Sequence, residues 1–258
     1  MTLLFRPFDE ECIELLDASP NRMSRHCLRS AIHHLRKAEN LFAVDASMAA
    51  FRVITAEEEA ASGLMHCLKE IGYLNAEKLK PRDHIHKNAI TPFLDVLGLS
   101  FHQMLNAHSA EPVFHIKEID GTCRLTSFLK MQVEGEEKWL YPTPPLNFSM
   151  SCDGRPLSYR KEIESYLAHR GATDIEAHLK ERANVRNTLL YAGPKGYPAD
   201  IILAPDFFAA RTVRVLALLR AYLLIQPYQQ QLPFVQDAVD AFLFMLGRLP
   251  AERLHDEV

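Results

Sequence analysis

Three ionisable residues fall on the apolar faces of predicted helices, where such side chains are uncommon. Glu57, Arg186 and His86 are each in register with residues that recur at helical spacing, whereas Glu58 and Glu59 turn away from that stripe by about 100° per residue. The apolar members of the three stripes are Ala50, Ile54, Ala61, Leu64 and Leu68; Ile175, Leu179 and Leu190; and Ile90, Phe93 and Leu97. The pattern predicts that polar groups meet inside a helical assembly.

A carboxylate or a guanidinium that is buried alone is costly, so each of these side chains needs a partner. Glu57 and Arg186 can satisfy each other, and His86 or Lys87 can join them. One interpretation is a structural ion pair that ties helices together. The other is a polar site between helices, at which Arg186 and a histidine face an anionic ligand.

The elements that must position these residues are mainly helical. Helical periodicity covers residues 24–44, then the stretch from Asp45 or Ser47 to about residue 72, and a third helix from about residue 81, which Pro92 should kink or break near Thr91. Further helices are predicted over 158–170, 173–193, 206–225 and 233–249.

Between residues 112 and 153 the period changes to alternation, with turn signals at Asp120-Gly121 and Glu134-Gly135. Three or four short antiparallel strands are expected there. We therefore predict a mainly α fold, a helical bundle over 1–110 and 155–258 with a small antiparallel β-sheet inserted over 111–154.

Composition and motifs exclude several classes of protein. The chain has 258 residues, 48% hydrophobic and 24% charged, with a net charge of −4, so neither a disordered chain nor a wholly basic nucleic-acid coat is expected. Five widely spaced cysteines without a C-x-x-C motif argue against a disulfide framework or a thiolate zinc site. No H-E-x-x-H, P-loop, G-x-G-x-x-G or G-x-S-x-G motif occurs. We predict no metal, no cofactor, no membrane span and a cytoplasmic location.

Other candidate residues have a functional and a structural interpretation. Lys195, on the loop Gly193-Pro194-Lys195-Gly196, can meet a phosphate or lie in a solvated turn. Arg211 and Arg214 form a basic stripe, for which surface or inter-helix pairing with carboxylates is the default. Trp139 is interpreted as a strand anchor rather than a base-stacking platform.

Three segments together resemble a known family. They are the helix pair from residue 29 to residue 61, which contains Ala56-Glu57-Glu58-Glu59; residues 82–87, RDHIHK; and residues 186–193, RNTLLYAG. In that order they resemble the HEPN superfamily, particularly its AbiV-like abortive-infection branch, with its A-x-E-E, H-x-x-K-like and R…LY segments. The resemblance covers about 110 residues, outside the predicted strands and the last two helices.

The resemblance implies a dimeric helical bundle, and many family members cleave RNA without a metal through an R-x4-6-H motif. There a histidine acts as general base on the ribose 2′-OH and an arginine stabilises the phosphate. Arg186-Asn187 matches the start of that motif, Tyr191 stands where the family places the histidine, and His86 is a substitute for it. The expected catalytic residues are Arg186, His86 and Tyr191, and the expected binding residues are Glu57, Arg82, His84, Lys87, Asn187 and Lys195.

The sequence thus predicts a HEPN-like protein that binds RNA, a nucleotide or a protein partner at a polar site around Arg186, in phage defence or a stress response. One alternative is a metal-independent endoribonuclease that uses Arg186 and His86. Another is a structural or interaction protein with a buried Glu57–Arg186 pair. RNA or a nucleotide is the expected ligand, and a homodimer is implied by the resemblance.

Overall fold

The computed structural model describes residues 5–107, 109–152, 155–156, 159–169, 177, 179–180, 189, 204 and 206–249. These residues form a mainly α structure with a small antiparallel sheet, which confirms the predicted fold class. Its helices are α1 (Pro7–Ala18), α2 (Met23–Leu41), α3 (Ala46–Ile71), α4 (His84–Ala107), α5 (Arg160–His169), α6 (Phe207–Ile225) and α7 (Pro233–Met245). Its strands are β1 (Ala110–Ile119), β2 (Thr122–Val133), β3 (Glu136–Leu140), β4 (Ser151–Cys152) and β5 (Arg155–Pro156).

The chain divides into two compact units. The first comprises Met1–Cys67, Lys80–Asn88 and Glu176–Tyr222, and the second comprises Leu68–Leu79, Ala89–Ile175 and Leu223–Val258. The division into a bundle over 1–110 and 155–258 and an insertion over 111–154 stays a prediction. The predicted helix over 173–193 lies almost entirely outside the described residues.

Local signals set the bounds of α3 and the start of α4. The Asp45 carboxylate accepts the Met48 N–H at 2.8 Å, which caps α3, and the helix ends where Gly72 adopts a φ of 85°. Asp83 caps α4 by accepting the Ile85 N–H at 2.8 Å. Asp45 is thus the α3 cap of the two candidates, Asp45 and Ser47, and α4 begins at His84, a few residues after the predicted start near residue 81.

Of the kink or break expected near Thr91, the break does not occur, because α4 continues through Pro92 to Ala107; the kink stays a prediction. A proline removes one N–H donor and crowds one carbonyl, so a helix interrupted at a single position can persist when packing holds both sides. Here Ala89, Phe93 and Val96 are all buried, and Phe93 packs edge-to-face on Phe242 of α7 at 5.4 Å. Packing within the second unit thus compensates for the lost hydrogen bond.

The core of the first unit lies between α2, α3 and α6. Gly63 of α3 lies so close to α2 that a Cβ at this position would stand 2.8 Å from the Leu28 side chain and 2.9 Å from the Ser24 carbonyl oxygen. From α6, Val215, Leu218, Leu219 and Tyr222 are completely buried. The polar residues of α3 therefore lie in a tightly packed helical environment.

The sheet in the second unit has the order β1-β2-β3 with antiparallel pairing throughout. Its two hairpins turn at Asp120-Gly121 (φ 52° and 72°) and Glu134-Gly135 (φ 55° and 82°), as the turn signals predicted. Two consecutive positive φ angles suit the right-handed twist of the paired strands, which explains a glycine in each turn. Strands β4 and β5 form a separate two-stranded antiparallel sheet.

None of the helices within the described ranges is long and apolar enough to cross a membrane.

Candidate functional site

Two consecutive carboxylates of α3 are both buried. Glu57 is 6% exposed, as its place on the apolar stripe predicts, and Glu58 is 4% exposed. The expectation that Glu58 points away from the interior was wrong. Two successive helix positions differ by about 100°, so both are covered when a helix packs against neighbours on two sides. Residues of α6 contact Glu57 and the first turn of α4 contacts Glu58.

Glu57 binds two arginines of α6. Arg211 Nη1 donates a hydrogen bond to Glu57 Oε2, and Arg214 Nη1 lies 3.7 Å from Glu57 Oε1. The Arg211 guanidinium also lies over the Phe207 ring, 4.7 Å from its centroid. The Arg211 and Arg214 side chains are 16% and 27% exposed. The inter-helix pairing expected by default for these arginines is confirmed, with Glu57 as their partner.

Glu58 binds three side chains from the start of α4. Lys87 Nζ lies 3.2 Å from Glu58 Oε2, His84 Nδ1 lies 3.2 Å from the same oxygen, and Asn88 Nδ2 donates to Glu58 Oε1 at 3.1 Å. An ionised carboxylate only accepts hydrogen bonds, so the His84 hydrogen that faces it is assigned to Nδ1. This contact orients the imidazole and leaves the rest of the ring toward solvent, because the His84 side chain is 54% exposed.

We name these seven residues the α3 polar cluster: Glu57, Glu58, His84, Lys87, Asn88, Arg211 and Arg214. It contains three cationic side chains and two carboxylates, so it is positive by one charge even with His84 neutral. Lys87 and Arg211 are largely buried, whereas His84 and Arg214 reach solvent. The solvent-exposed parts of the cluster are therefore an imidazole on α4 and a guanidinium on α6.

His86 is placed differently from His84. It is 1% exposed, and its Nδ1 accepts a hydrogen bond from the Lys80 N–H at 3.3 Å. This bond connects α4 to the segment that precedes it. His86 is on the inner face, as its register predicted, but its ring is covered by protein. Arg82, on the loop before α4, is exposed.

Four predicted site residues lie outside the described residues: Arg186, Asn187, Tyr191 and Lys195. The predicted Glu57–Arg186 pair therefore stays a prediction, and the Glu57 partners that the structure does describe are Arg211 and Arg214. Sequence reasoning did not include these two arginines in the site, nor Asn88. A signal was present, since two arginines three residues apart share one face of a mainly apolar helix.

Among the described residues, no group of three or more His, Cys, Asp or Glu side chains is arranged to hold a metal ion. The chain matches no family model, and neither a curated protein nor a solved structure is found that resembles it. The geometry of the α3 polar cluster is therefore the basis for a functional proposal.

Proposed function

We propose that this chain is a HEPN-like helical protein that binds RNA through a phosphate at the α3 polar cluster. One observation carries the proposal. The A-x-E-E segment and the H-x-x-K segment are in direct contact, because Glu58 binds both His84 and Lys87. Glu58 and His84 are 26 residues apart in the sequence. Two segments that together resemble one family thus meet in a single polar cluster.

The charges of the cluster suit an anion. Arg214 lies 3.7 Å from Glu57, beyond hydrogen-bond distance, so its donors can turn to a phosphate without breaking a short bond. A guanidinium matches phosphate oxygens with two parallel N–H donors. Arg211 and Lys87 neutralise the two carboxylates, so that these do not repel the ligand. The contribution to phage defence or a stress response, which the resemblance implies, is part of the same proposal.

The test is binding of a fluorescently labelled RNA to the full chain, measured by anisotropy at several salt concentrations. We expect Arg214→Ala to weaken binding by roughly ten- to a hundredfold, about 1.5–3 kcal/mol for a hydrogen bond to a charged group. The slope of log K against log salt should decrease by about 0.7 if one contact with a single-stranded phosphate is lost.

Arg36→Ala is the matched control, because Arg36 is an exposed arginine of the same unit whose carboxylate partner is Glu10. Its RNA affinity should equal that of the wild type. Equal affinities for Arg214→Ala and Arg36→Ala, or a folded wild type that binds no RNA, would contradict the proposal. A lower melting temperature of Arg214→Ala without a change in affinity would assign the cluster a structural role.

A second candidate function is metal-independent RNA cleavage, which the half-exposed His84 favours. Its Nδ1 is held by Glu58, so the opposite ring nitrogen can exchange a proton with a ribose 2′-OH. We assign the acid–base role to His84 rather than to the buried His86. Purified protein with EDTA should then produce 2′,3′-cyclic phosphate ends, and His84→Ala should abolish them while His86→Asn, if folded, retains them. Cleavage that persists in His84→Ala would exclude this assignment.

A further inference from the structure

Three aromatic rings lie together on one face of the sheet. Trp139 stacks on Phe128 with centroids 4.8 Å apart and planes 11° apart, and Tyr141, next to the end of β3, lies 4.9 Å from Phe128 at 33°. Trp139 pairs with Lys130 across the ladder, so residues 128, 130, 139 and 141 share a face. We name Phe128, Trp139 and Tyr141 the aromatic platform.

The platform is open to solvent at its two outer rings. Trp139 is 49% exposed and Tyr141 is 53% exposed, whereas Phe128 beneath them is 7% exposed. Trp139 and Tyr141 are nearly parallel, with planes 25° apart and centroids 6.3 Å apart. Near-parallel rings offer flat faces to another flat ring, while recognition of a quaternary ammonium uses rings that enclose the cation. The geometry therefore favours a planar, aromatic ligand.

A polar contact holds the platform in place. Trp139 Nε1 donates a hydrogen bond to Glu137 at 2.8 Å, and Glu137 also pairs with Lys130 Nζ at 2.7 Å. Since Glu137, Lys130 and Trp139 lie on the same face of the two paired strands, the indole ring is oriented before any ligand arrives. A preorganised ring loses less conformational entropy on binding.

The two faces of the sheet differ in charge. Register places Lys117, Arg124, Lys130 and His115 on the platform face with Glu111 and Glu137, and places Lys138 on the opposite face with Glu118 and Glu136. The platform face is therefore net positive and the other face net negative. A planar ligand that also carries negative charge is complementary to this face.

We propose that the aromatic platform binds unpaired bases of a single-stranded nucleic acid, with Lys130 and Lys117 facing its phosphates. Every base has a π-face that stacks on an aromatic side chain, so such binding tolerates different sequences. Bases within a duplex are already stacked and paired and do not reach the rings. The inference stands on the sheet alone and does not depend on the α3 polar cluster.

The chain contains one tryptophan, so its fluorescence reports directly on Trp139. We expect a single-stranded oligouridine to quench this fluorescence saturably in the full chain, and a duplex of equal length to quench it far less. Tyr141→Ala should weaken the oligouridine affinity by about five- to a hundredfold, as loss of one stacking partner does. Tyr141→Leu, which keeps an apolar contact with Phe128 but no flat ring, should weaken it to a similar extent.

Leu140→Ala is the matched control, because Leu140 is as exposed as Tyr141, at 53%, but lies on the opposite face. It should bind oligouridine like the wild type. Four outcomes would overturn the proposal. Two concern the wild type: oligouridine does not quench its fluorescence, or the duplex quenches it equally. The third is a loss of affinity in Leu140→Ala equal to that in Tyr141→Ala, and the fourth is quenching by a proline-rich peptide but not by oligouridine. The quenching reports only on the ring of Trp139, so failure here is distinguishable from failure of the anisotropy test at the α3 polar cluster.

Discussion

Two histidines in the first turn of α4 differ sharply in what they can do. His84 is half-exposed and oriented by the Glu58 carboxylate, whereas His86 is buried and bonded to the backbone N–H of Lys80. Sequence register identified His86 as the inward residue, and an inward residue need not be accessible to a ligand. At this scale, access to solvent rather than register selects the candidate for proton transfer.

Cys12 of α1 allows a prediction about the pH dependence of stability. It is fully buried beside Arg220 and Asp9, and burial raises the pKa of its thiol from 9.0 to about 11, opposed by the Arg220 charge. Below pH 9 the thiol is protonated in both states. Between pH 9 and 11 the unfolded chain loses the proton first, so the free energy of unfolding falls as the pH rises through this interval.

We expect the wild type to lose about 1 kcal/mol more than Cys12→Ala when the pH is raised from about 8 to about 10. Urea denaturation of both proteins at the two pH values measures this difference. Alkylation of the native chain provides a second readout, since the exposed Cys123 should react before Cys12. Equal losses in the two proteins would contradict the assigned pKa.

At the scale of the elements, the contact of α2 with α3 depends on one glycine. A methyl group on Gly63 would stand 2.8 Å from the Leu28 side chain and 2.9 Å from the Ser24 carbonyl oxygen, so the two helices would have to separate. Helix α3 carries Glu57 and Glu58, and its distance from its neighbours therefore affects the α3 polar cluster as well as stability.

Gly63→Ala should lower the free energy of unfolding by roughly 1–3 kcal/mol, as overpacking does. Gly98→Ala in α4 is the control, because a Cβ there meets no atom within 4 Å. It should leave stability unchanged or raise it by up to about 1 kcal/mol, since alanine favours a helix. Urea denaturation distinguishes the two variants, and equal effects would show that the close approach at Gly63 is not constraining.

At the scale of the whole molecule, the net charge of −4 disfavours general attraction to nucleic acid. Binding then requires places where cations locally outnumber carboxylates. The first unit has one at the α3 polar cluster and the second has one on the platform face of the sheet. Each is tested by its own variant, Arg214→Ala and Tyr141→Ala. The homodimer stays a prediction from the family resemblance.

The sequence by itself determined the features that depend on neighbours along the chain. The α3 cap at Asp45 or Ser47, the end of α3 near residue 72 and the turns at Asp120-Gly121 and Glu134-Gly135 were predicted, because caps, turns and periodicity act within a few residues. The inward placement of Glu57 and His86 followed from the same periodicity. The first helix, α1, was not predicted.

Tertiary structure alone decided which polar groups meet. Glu57 lies 154 residues from Arg211, and periodicity states which side of a helix is buried but not which helix covers it. Glu58 is buried because α3 has neighbours on two sides. The periodicity of α3 alone does not show how many elements pack against it. Likewise, Trp139 stacks on Phe128 only because β2 pairs with β3. Partner choice is a property of packing between distant segments, which local preferences do not encode.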